Sequence, residues 1–171
     1  MIQIGLLSDT HGHFDDRIYK FFDDVDEIWH AGDFGSVEVS EKLSAFKPLK
    51  GVYGNIDDQA IRYVHPQDQR FDCEGVKVFM THIGGYPGRY NPRVRKLIDE
   101  DTPDLFICGH SHLLMVKKDK KRGLLHLNPG AAGNQGGHLV KTMMIVQISD
   151  GKVTKLQGVE LGPRGSKPAR K

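Results

Sequence analysis

Apolar runs alternate with helical patterns in the first third of the chain. The run at 2–7, IQIGLL, is followed by apolar residues at helical spacing in 13–25, and the strand-like segment 26–33, DEIWHAGD, precedes a second helical pattern in 36–46. The segment 49–57, LKGVYGNID, predicts a third strand that runs into a glycine-bounded turn. This βαβαβ alternation favours a parallel sheet covered by helices.

The rest of the chain is richer in strands. Residues 69–82 predict a hairpin that turns at Glu74 and Gly75, and residues 91–101 predict a helix with Asn91 as its cap and Pro92 at its first position. Further short strands are predicted in 104–110, 113–119, 123–129, 141–149 and 152–161. Two sheets packed face to face, with helices outside, would accommodate both halves of the chain.

The length of 171 residues fits one ordinary domain, which we assign to residues 1–161. From Gly162 onward the chain has glycine, proline and basic residues without periodicity. We therefore expect residues 162–171 to form a disordered basic tail.

The charge balance argues against a nucleic-acid surface. The chain has 24 basic and 22 acidic side chains, and its formal net charge changes from +2 to −2 when the last ten residues are left out.

The two cysteines fit no metal-ligand or redox spacing. The sequence has no signal-peptide pattern, and no apolar run approaches the roughly 20 residues of a membrane helix. We therefore expect a cytoplasmic protein without membrane contact.

Polar side chains follow the predicted strands at the points where the strands end. They are Asp9 and His11, His30 and Asp33, Asn55 and Asp57, His82, and His110 and His112. In parallel sheets ligands bind at the carboxyl ends of strands, so these side chains should lie at one edge. Polar turns explain any one of these positions, but they explain the whole set poorly, because crowded imidazole and carboxylate groups are costly to bury unless a cation unites them. The set therefore predicts a metal site.

The donor types narrow the kind of metal. Imidazole, carboxylate and amide oxygen without a nearby thiolate suit manganese, iron or zinc. The candidates are too many for one tetrahedral ion, whereas two ions that share a ligand would use them. Glycines flank these positions, and a backbone without Cβ can approach ions and a bound anion closely.

These motifs, in this order, resemble those of the calcineurin-like metallophosphoesterases. The motif SDTHG near residue 10 and the short chain are most similar to the YfcE-like small phosphodiesterase branch, and the motifs span residues 8–112. The resemblance covers nearly the whole chain except the tail. It implies an αββα sandwich of two mixed sheets and a divalent-metal-dependent phosphoesterase, with a phosphodiesterase favoured over a monoesterase. A hydroxide activated at a binuclear centre would attack the phosphate ester in line with the departing oxygen.

The resemblance also implies an assignment of ligands. Asp9, His11 and His112 would bind one ion, Asn55, His82 and His110 would bind the other, and Asp33 would bridge them. Asn55 could also contact the phosphate during catalysis. Manganese is the favoured metal, with iron, zinc or nickel as alternatives.

One position departs from the family pattern, and several others have two readings. Many members have a histidine that protonates the leaving group where this chain has Ile56.

His13 could substitute for this histidine or be a solvated loop residue, and Asn128 could approach the substrate or only form a turn. His30 could orient Asp33 or simply pack in the core. Asp57 could support Asn55 or simply end its turn.

Two other functions remain open at this point. The same fold occurs as a retromer-type scaffold subunit with a degraded metal site, although all seven ligand positions here keep coordinating residue types. A nucleic-acid phosphodiesterase is disfavoured by the near-neutral body. A small phosphate ester is the expected substrate, and the apolar strands of the second half leave a homo-oligomer open.

Overall fold

The predicted apolar runs form the strands of two five-stranded sheets. The computed structural model describes residues 1–168. Its strands are β1 (Ile2–Leu7), β2 (Glu27–His30), β3 (Leu49–Gly51), β4 (Asp68–Cys73), β5 (Val76–Thr81), β6 (Gly85–Tyr86), β7 (Arg89–Tyr90), β8 (Leu105–Ile107), β9 (Leu114–Asp119), β10 (Leu124–Pro129), β11 (Val140–Ser149) and β12 (Lys152–Pro163). Its helices are α1 (Arg17–Phe21), α2 (Val37–Phe46), α3 (Gln59–Val64) and α4 (Pro92–Glu100).

Both sheets are mixed. The first has the order β12-β11-β1-β2-β3, in which β1, β2 and β3 are parallel and β11 runs antiparallel to β1. The second has the order β4-β5-β8-β10-β9, in which β5, β8 and β10 are parallel and the two edge strands are antiparallel. The parallel strands of both sheets are followed by the loops that carry the predicted site residues.

The two sheets pack face to face, and the helices cover their outer faces. Leu6 and Trp29 of the first sheet share the inter-sheet core with Met80 and Leu127 of the second. Apolar residues of α1, α2 and α3 pack on the outer face of the first sheet. Residues of α4 pack on Phe79 and Phe106, outside the second sheet. The predicted αββα sandwich of two mixed sheets is therefore confirmed.

Local sequence signals explain where several elements begin and turn. Asn91 accepts hydrogen bonds from the backbone nitrogens of Arg93 and Val94 at the start of α4. The hairpin between β4 and β5 turns at Glu74 and Gly75, both with positive φ, as a tight two-residue turn requires. The helix α3 and the short ribbon β6–β7 were not predicted, because neither has a long periodic pattern.

The chain beyond residue 161 differs from the expected disorder. β12 continues through Pro163, and the carbonyl oxygen of Ser166 accepts a hydrogen bond of 2.7 Å from Lys141 Nζ. This contact could not be predicted from the sequence, because the partner of Ser166 is a fully buried lysine 25 positions earlier in the chain. Residues 169–171 of the predicted tail lie outside the described residues. Within the described range, no helix has the length and apolar character needed to cross a membrane.

Candidate metal centre

Loops from both sheets bring the predicted ligands to one edge of the molecule. Asp9 and His11 follow β1, Asp33 follows β2, and Asn55 follows β3. His82 follows β5 in the second sheet, and His110 and His112 follow β8. Two clusters of potential ligand atoms result, each with its atoms within 4.8 Å of one another: Asp9, His11 and His112 form the first, and Asp33, His82 and His110 form the second.

In the first cluster, the two oxygens of Asp9 have separate partners. Oδ1 lies 3.1 Å from His112 Nε2 and 3.6 Å from His11 Nε2. Oδ2 accepts hydrogen bonds of 2.6 Å from Ser8 Oγ and 3.1 Å from the backbone nitrogen of His110. Because Oδ2 is held by these two donors, Oδ1 is aimed at the histidines.

In the second cluster, the backbone fixes the orientation of His82. Its Nδ1 lies 2.7 Å from the carbonyl oxygen of Ala31, and since a carbonyl only accepts, Nδ1 must donate the proton. Nε2 then presents its lone pair, 3.1 Å from both Asp33 Oδ2 and Asn55 Oδ1. Asn55 Oδ1 is also 3.1 Å from His110 Nδ1.

Asp33 stands between the two clusters. Its Oδ2 lies 3.3 Å from His11 Nε2 of the first cluster and 3.1 Å from His82 Nε2 of the second. Its Oδ1 accepts a hydrogen bond of 3.1 Å from the backbone nitrogen of Ile56. This geometry places one carboxylate oxygen within reach of both sets of nitrogens.

The spacing of these donors fits divalent cations. Nitrogen and oxygen ligands about 2.1 Å from a common ion are separated by about 3.0–3.4 Å in octahedral or tetrahedral geometry. Several donor pairs of the two clusters lie 3.1–3.3 Å apart. His11 Nε2 is also buried without a hydrogen-bond partner among residues 1–168. A buried nitrogen of this kind is available to a cation.

The backbone at the ligands adopts a conformation that side-chain-bearing residues rarely take. Five of the seven predicted ligands have φ between 47° and 71°: Asp9, His11, Asp33, His110 and His112. Each such residue costs on the order of 1–3 kcal/mol and persists only where its surroundings hold it. His110 and His112 are two positions apart, yet they face different clusters, because a left-handed backbone breaks the alternation of a strand.

Glycines allow these loops to pack tightly around the carboxylates. A Cβ on Gly54 would overlap Oδ1 and the backbone nitrogen of Asp33. A Cβ on Gly109 would lie 2.7 Å from Asp9 Oδ2. These glycines therefore allow the loop backbones to approach the carboxylates of Asp33 and Asp9 closely.

The two carboxylates and their histidines are strongly coupled. Burial opposes ionisation of Asp9 and Asp33, but the neighbouring histidines hold the pKa of each carboxyl well below its usual range. The interactions with Asp33 and Asp9 raise the pKa of His11 to about 9. Burial disfavours the charged form of His82, yet Asp33 and Asp9 raise its pKa as well. Without metal, a proton on His11 therefore offsets part of the charge of the two carboxylates.

We expect a divalent cation to displace this proton. With a pKa of about 9, His11 is protonated at pH 7 in the metal-free protein, and it must become neutral to bind a metal. Titration with Mn²⁺ at pH 7 should release about one proton per chain from His11, and this release should disappear above roughly pH 10. Calorimetry in two buffers of different ionisation enthalpy measures the number. The His11→Gln variant should release about one proton fewer, and an unchanged release would contradict the assignment.

His30 is placed away from the carboxylate that it was considered to orient. Its Nδ1 accepts a hydrogen bond from the backbone nitrogen of Gly32, and its Nε2 lies 3.0 Å from Thr10 Oγ1. The ring is fully buried and stacks on Phe34 with centroids 3.7 Å apart, and burial lowers its pKa to about 3. A neutral His30 therefore ties the loop after β1 to the loop after β2 and acts on the backbone.

Asp57 and Asn128 also act on loop backbones. The carboxylate of Asp57 accepts hydrogen bonds of 2.8–3.1 Å from the backbone nitrogens of Phe34, Gly35 and Gly54. The buried Asn128 donates to the Gly109 carbonyl and to Ser111 Oγ, and it accepts from the nitrogen of Gly130. These bonds use both the nitrogen and the oxygen of the Asn128 amide, so Asn128 supports the loop that carries His110 and His112. This role differs from the substrate contact considered for Asn128.

The surroundings of the clusters include residues that sequence reasoning missed or left open. His13, considered as a substrate contact, lies outside both clusters, and its Nε2 is buried without a hydrogen-bond partner within residues 1–168. Ser8 donates a hydrogen bond to Asp9, and its position as the first residue of the motif SDTHG is a sequence signal for this role. His138 packs edge-to-face on His112 with centroids 5.2 Å apart, and the glycines before it were its only local signal.

Comparison with known proteins identifies the family to which the sequence is similar. The family model described as the calcineurin-like phosphoesterase superfamily domain matches residues 2–151. A probable metallophosphoesterase from Methanocaldococcus jannaschii is 30% identical over 166 residues, covering 92% of this chain and 81% of the relative.

Solved structures share the fold at lower identity. An archaeal phosphodiesterase has a TM-score of 0.76 at 22% identity, covering 94% of this chain and all of that one. Vps29 from Chaetomium thermophilum has a TM-score of 0.72 at 14% identity, covering 95% of this chain and all of that one. At these identities, the structural likeness shows the fold alone.

Proposed function

The chain belongs to the calcineurin-like phosphoesterase superfamily, and from this premise we propose that it is a divalent-metal-dependent phosphodiesterase with a binuclear centre. The observation that carries the proposal is the position of Asp33, whose Oδ2 lies within 3.3 Å of nitrogens from both clusters. In this proposal Asp33 would bridge two ions. One ion would be held by Asp9, His11 and His112, and the other by Asn55, His82 and His110.

The residues around the centre would have different roles in phosphoryl transfer. When bound, divalent ions lower the pKa of water and offset the charge on phosphate oxygens. Hydrogen bonds fix the orientation of both carboxylates: Ser8 donates to Oδ2 of Asp9, and the nitrogen of Ile56 donates to Oδ1 of Asp33. Asn55 is exposed at the rim, so its amide nitrogen is available to donate to a phosphate oxygen. The protein thus positions and neutralises the ester, as phosphoryl transfer requires.

Ile56 predicts a preference among leaving groups. Its side chain is 47% exposed next to Asn55, and a hydrocarbon cannot protonate a departing oxygen. Loss of a general acid typically costs about 10²- to 10⁴-fold for substrates that need one. We therefore expect bis(p-nitrophenyl) phosphate to turn over far faster than an alkyl phosphomonoester, measured as kcat/KM with the same metal. Equal values would contradict this inference.

The proposal is tested by metal loading and turnover together. The protein is purified without added metal and supplied separately with Mn²⁺, Fe²⁺, Zn²⁺ and Ni²⁺, and bound metal and hydrolysis of the aryl diester are measured in each case. We expect two ions per chain and metal-dependent hydrolysis, with manganese the favoured ion. Binding of no ion, or turnover that is unchanged by removing metal, would overturn the proposal.

A scaffold role is the second candidate, and the likeness to the Vps29 fold is the observation that favours it. All seven proposed ligand positions keep coordinating side chains and converge, which supports an enzyme instead. Absence of turnover in a metal-loaded protein would favour the scaffold. A cytoplasmic location, a small phosphate-ester substrate without nucleic acid, and a homo-oligomer stay predictions.

A further inference from the structure

A groove of about 280 Å³ adjoins the second cluster. Its lining includes Asn55 and His82 of the proposed ligand set, together with Tyr53, Arg62, Thr81 and Arg93. An ester held at the two clusters would therefore have this groove beside it. Among residues 1–168, the groove lining includes two arginines and no carboxylate.

The two arginines differ in how their charge is used. Arg93 forms a bidentate pair with Asp68, at 2.7 and 3.0 Å, so its charge is already matched. Arg62 donates from Nε to the carbonyl oxygen of Asp57 at 2.8 Å and makes no ion pair within the described residues. The uncompensated positive charge of the groove therefore belongs to Arg62.

Arg62 is also held in place before any ligand arrives. Its guanidinium lies 4.5 Å from the centre of the Tyr53 ring, and the bond from Nε to Asp57 fixes the same group from a second side. The terminal nitrogens make no hydrogen bond within residues 1–168, so their N–H groups remain available. A planar, oriented guanidinium with free donors suits bidentate binding of a carboxylate or phosphate.

We propose that this groove receives one ester substituent of the substrate, and that Arg62 selects substituents carrying a second anionic group, a carboxylate or a phosphate. The proposal rests on the phosphodiesterase function proposed above and names the substrate class of the same site. Arg62 is thus a specificity-determining residue that binds the part of the diester remote from the scissile bond.

Matched substrates test the proposal. The p-nitrophenyl phosphodiesters of butanol, 4-hydroxybutanoate and 3-hydroxypropylphosphonate share a leaving group and differ in the end of the other substituent. Since a charge-assisted pair at an exposed arginine is partly screened, we expect kcat/KM to be about tenfold higher for one or both anionic esters. A preference for the carboxylate or for the phosphonate identifies which anion the groove accepts. The preference should shrink as NaCl is raised from about 0.05 to 0.5 M.

Substitution of Arg62 gives the decisive comparison. Arg62→Met should bring the three kcat/KM values together, because only the anionic esters lose a partner, and Arg62→Lys should keep part of the preference. Arg95→Met, at an exposed position on α4 outside the groove lining, is the matched control and should keep it in full. Equal values in the unsubstituted protein, or an unchanged preference in Arg62→Met, would overturn the proposal.

A binding measurement separates this proposal from the function on which it rests. Methyl(pentyl)phosphinate and methyl(4-carboxybutyl)phosphinate have two P–C bonds and no ester bond to break, so calorimetry on metal-loaded protein reports affinity alone. Tighter binding of the carboxylate, lost in Arg62→Met, supports the groove even if no diester is hydrolysed. Hydrolysis of all diesters without discrimination supports the phosphodiesterase and removes the role of Arg62.

Discussion

Replacing Asp33 by asparagine should lower the turnover of an activated aryl diester by about 10³-fold. Oδ2 of Asp33 lies within 3.3 Å of nitrogens from both clusters, and in the proposed binuclear centre an amide there would remove the negative charge between the two cations. We expect bound metal to fall from two ions per chain to about one. Metal analysis and steady-state kinetics measure the two effects.

The Asp33→Asn variant should still fold. Asn is among the few residues that accept a left-handed backbone, and Asp33 has φ of 58°. The hydrogen bond from the nitrogen of Ile56 can be kept by the amide oxygen. Asp24→Asn, at an exposed position, removes the same charge elsewhere and should leave both readouts unchanged. If Asp33→Asn retained two ions and full turnover, the bridging role would be wrong.

Gly54→Ala should inactivate the protein by at least about 100-fold and lower its melting temperature. The added Cβ would overlap the backbone nitrogen of Asp33 as well as its Oδ1, and a backbone atom cannot move aside as the end of a flexible side chain can. The loops after β2 and β3 must separate, which displaces Asp33 from the histidines. A shift of this size at the reacting centre is enough to cost about 10²-fold.

Gly137→Ala is the matched control for that experiment. A Cβ at Gly137 would meet no atom within 4 Å, and the residue lies in the loop that leads to His138. Its turnover and melting temperature should therefore match those of the unsubstituted protein. Thermal unfolding followed by circular dichroism and diester kinetics report both quantities. Normal activity in Gly54→Ala would show that the loops tolerate separation.

The convergence of the ligands could be predicted because it follows from a general rule. Strand ends that carry Asp9, Asp33 and Asn55 belong to parallel strands, so their positions at one edge follow from the βαβαβ pattern alone. His82 and His110 come from the other sheet. Their approach to the first three could be expected because crowded imidazole and carboxylate groups need a cation to unite them, although no local pattern specifies how two sheets are oriented.

The partners of the surrounding residues could not be predicted. His30 was considered for Asp33, yet its ring reaches Thr10, a residue 20 positions earlier in the chain, because the loops after β1 and β2 pack side by side. Arg62 could not be predicted as a site residue because α3 is only six residues long, and nothing in its sequence indicates that Tyr53 lies beneath the guanidinium. Such contacts depend on the tertiary packing of loops, which periodicity does not encode.

The left-handed backbone at five of the seven proposed ligands has a consequence for engineering. Transplanting Asp9, His11, Asp33, His110 and His112 onto regular strands of another scaffold would aim their side chains in the wrong directions, even with every spacing preserved. A successful graft would have to carry the turns together with the glycines and buried polar groups that hold them. By the same reasoning, a β-branched residue introduced at any of these positions would disturb the loop before it altered the chemistry.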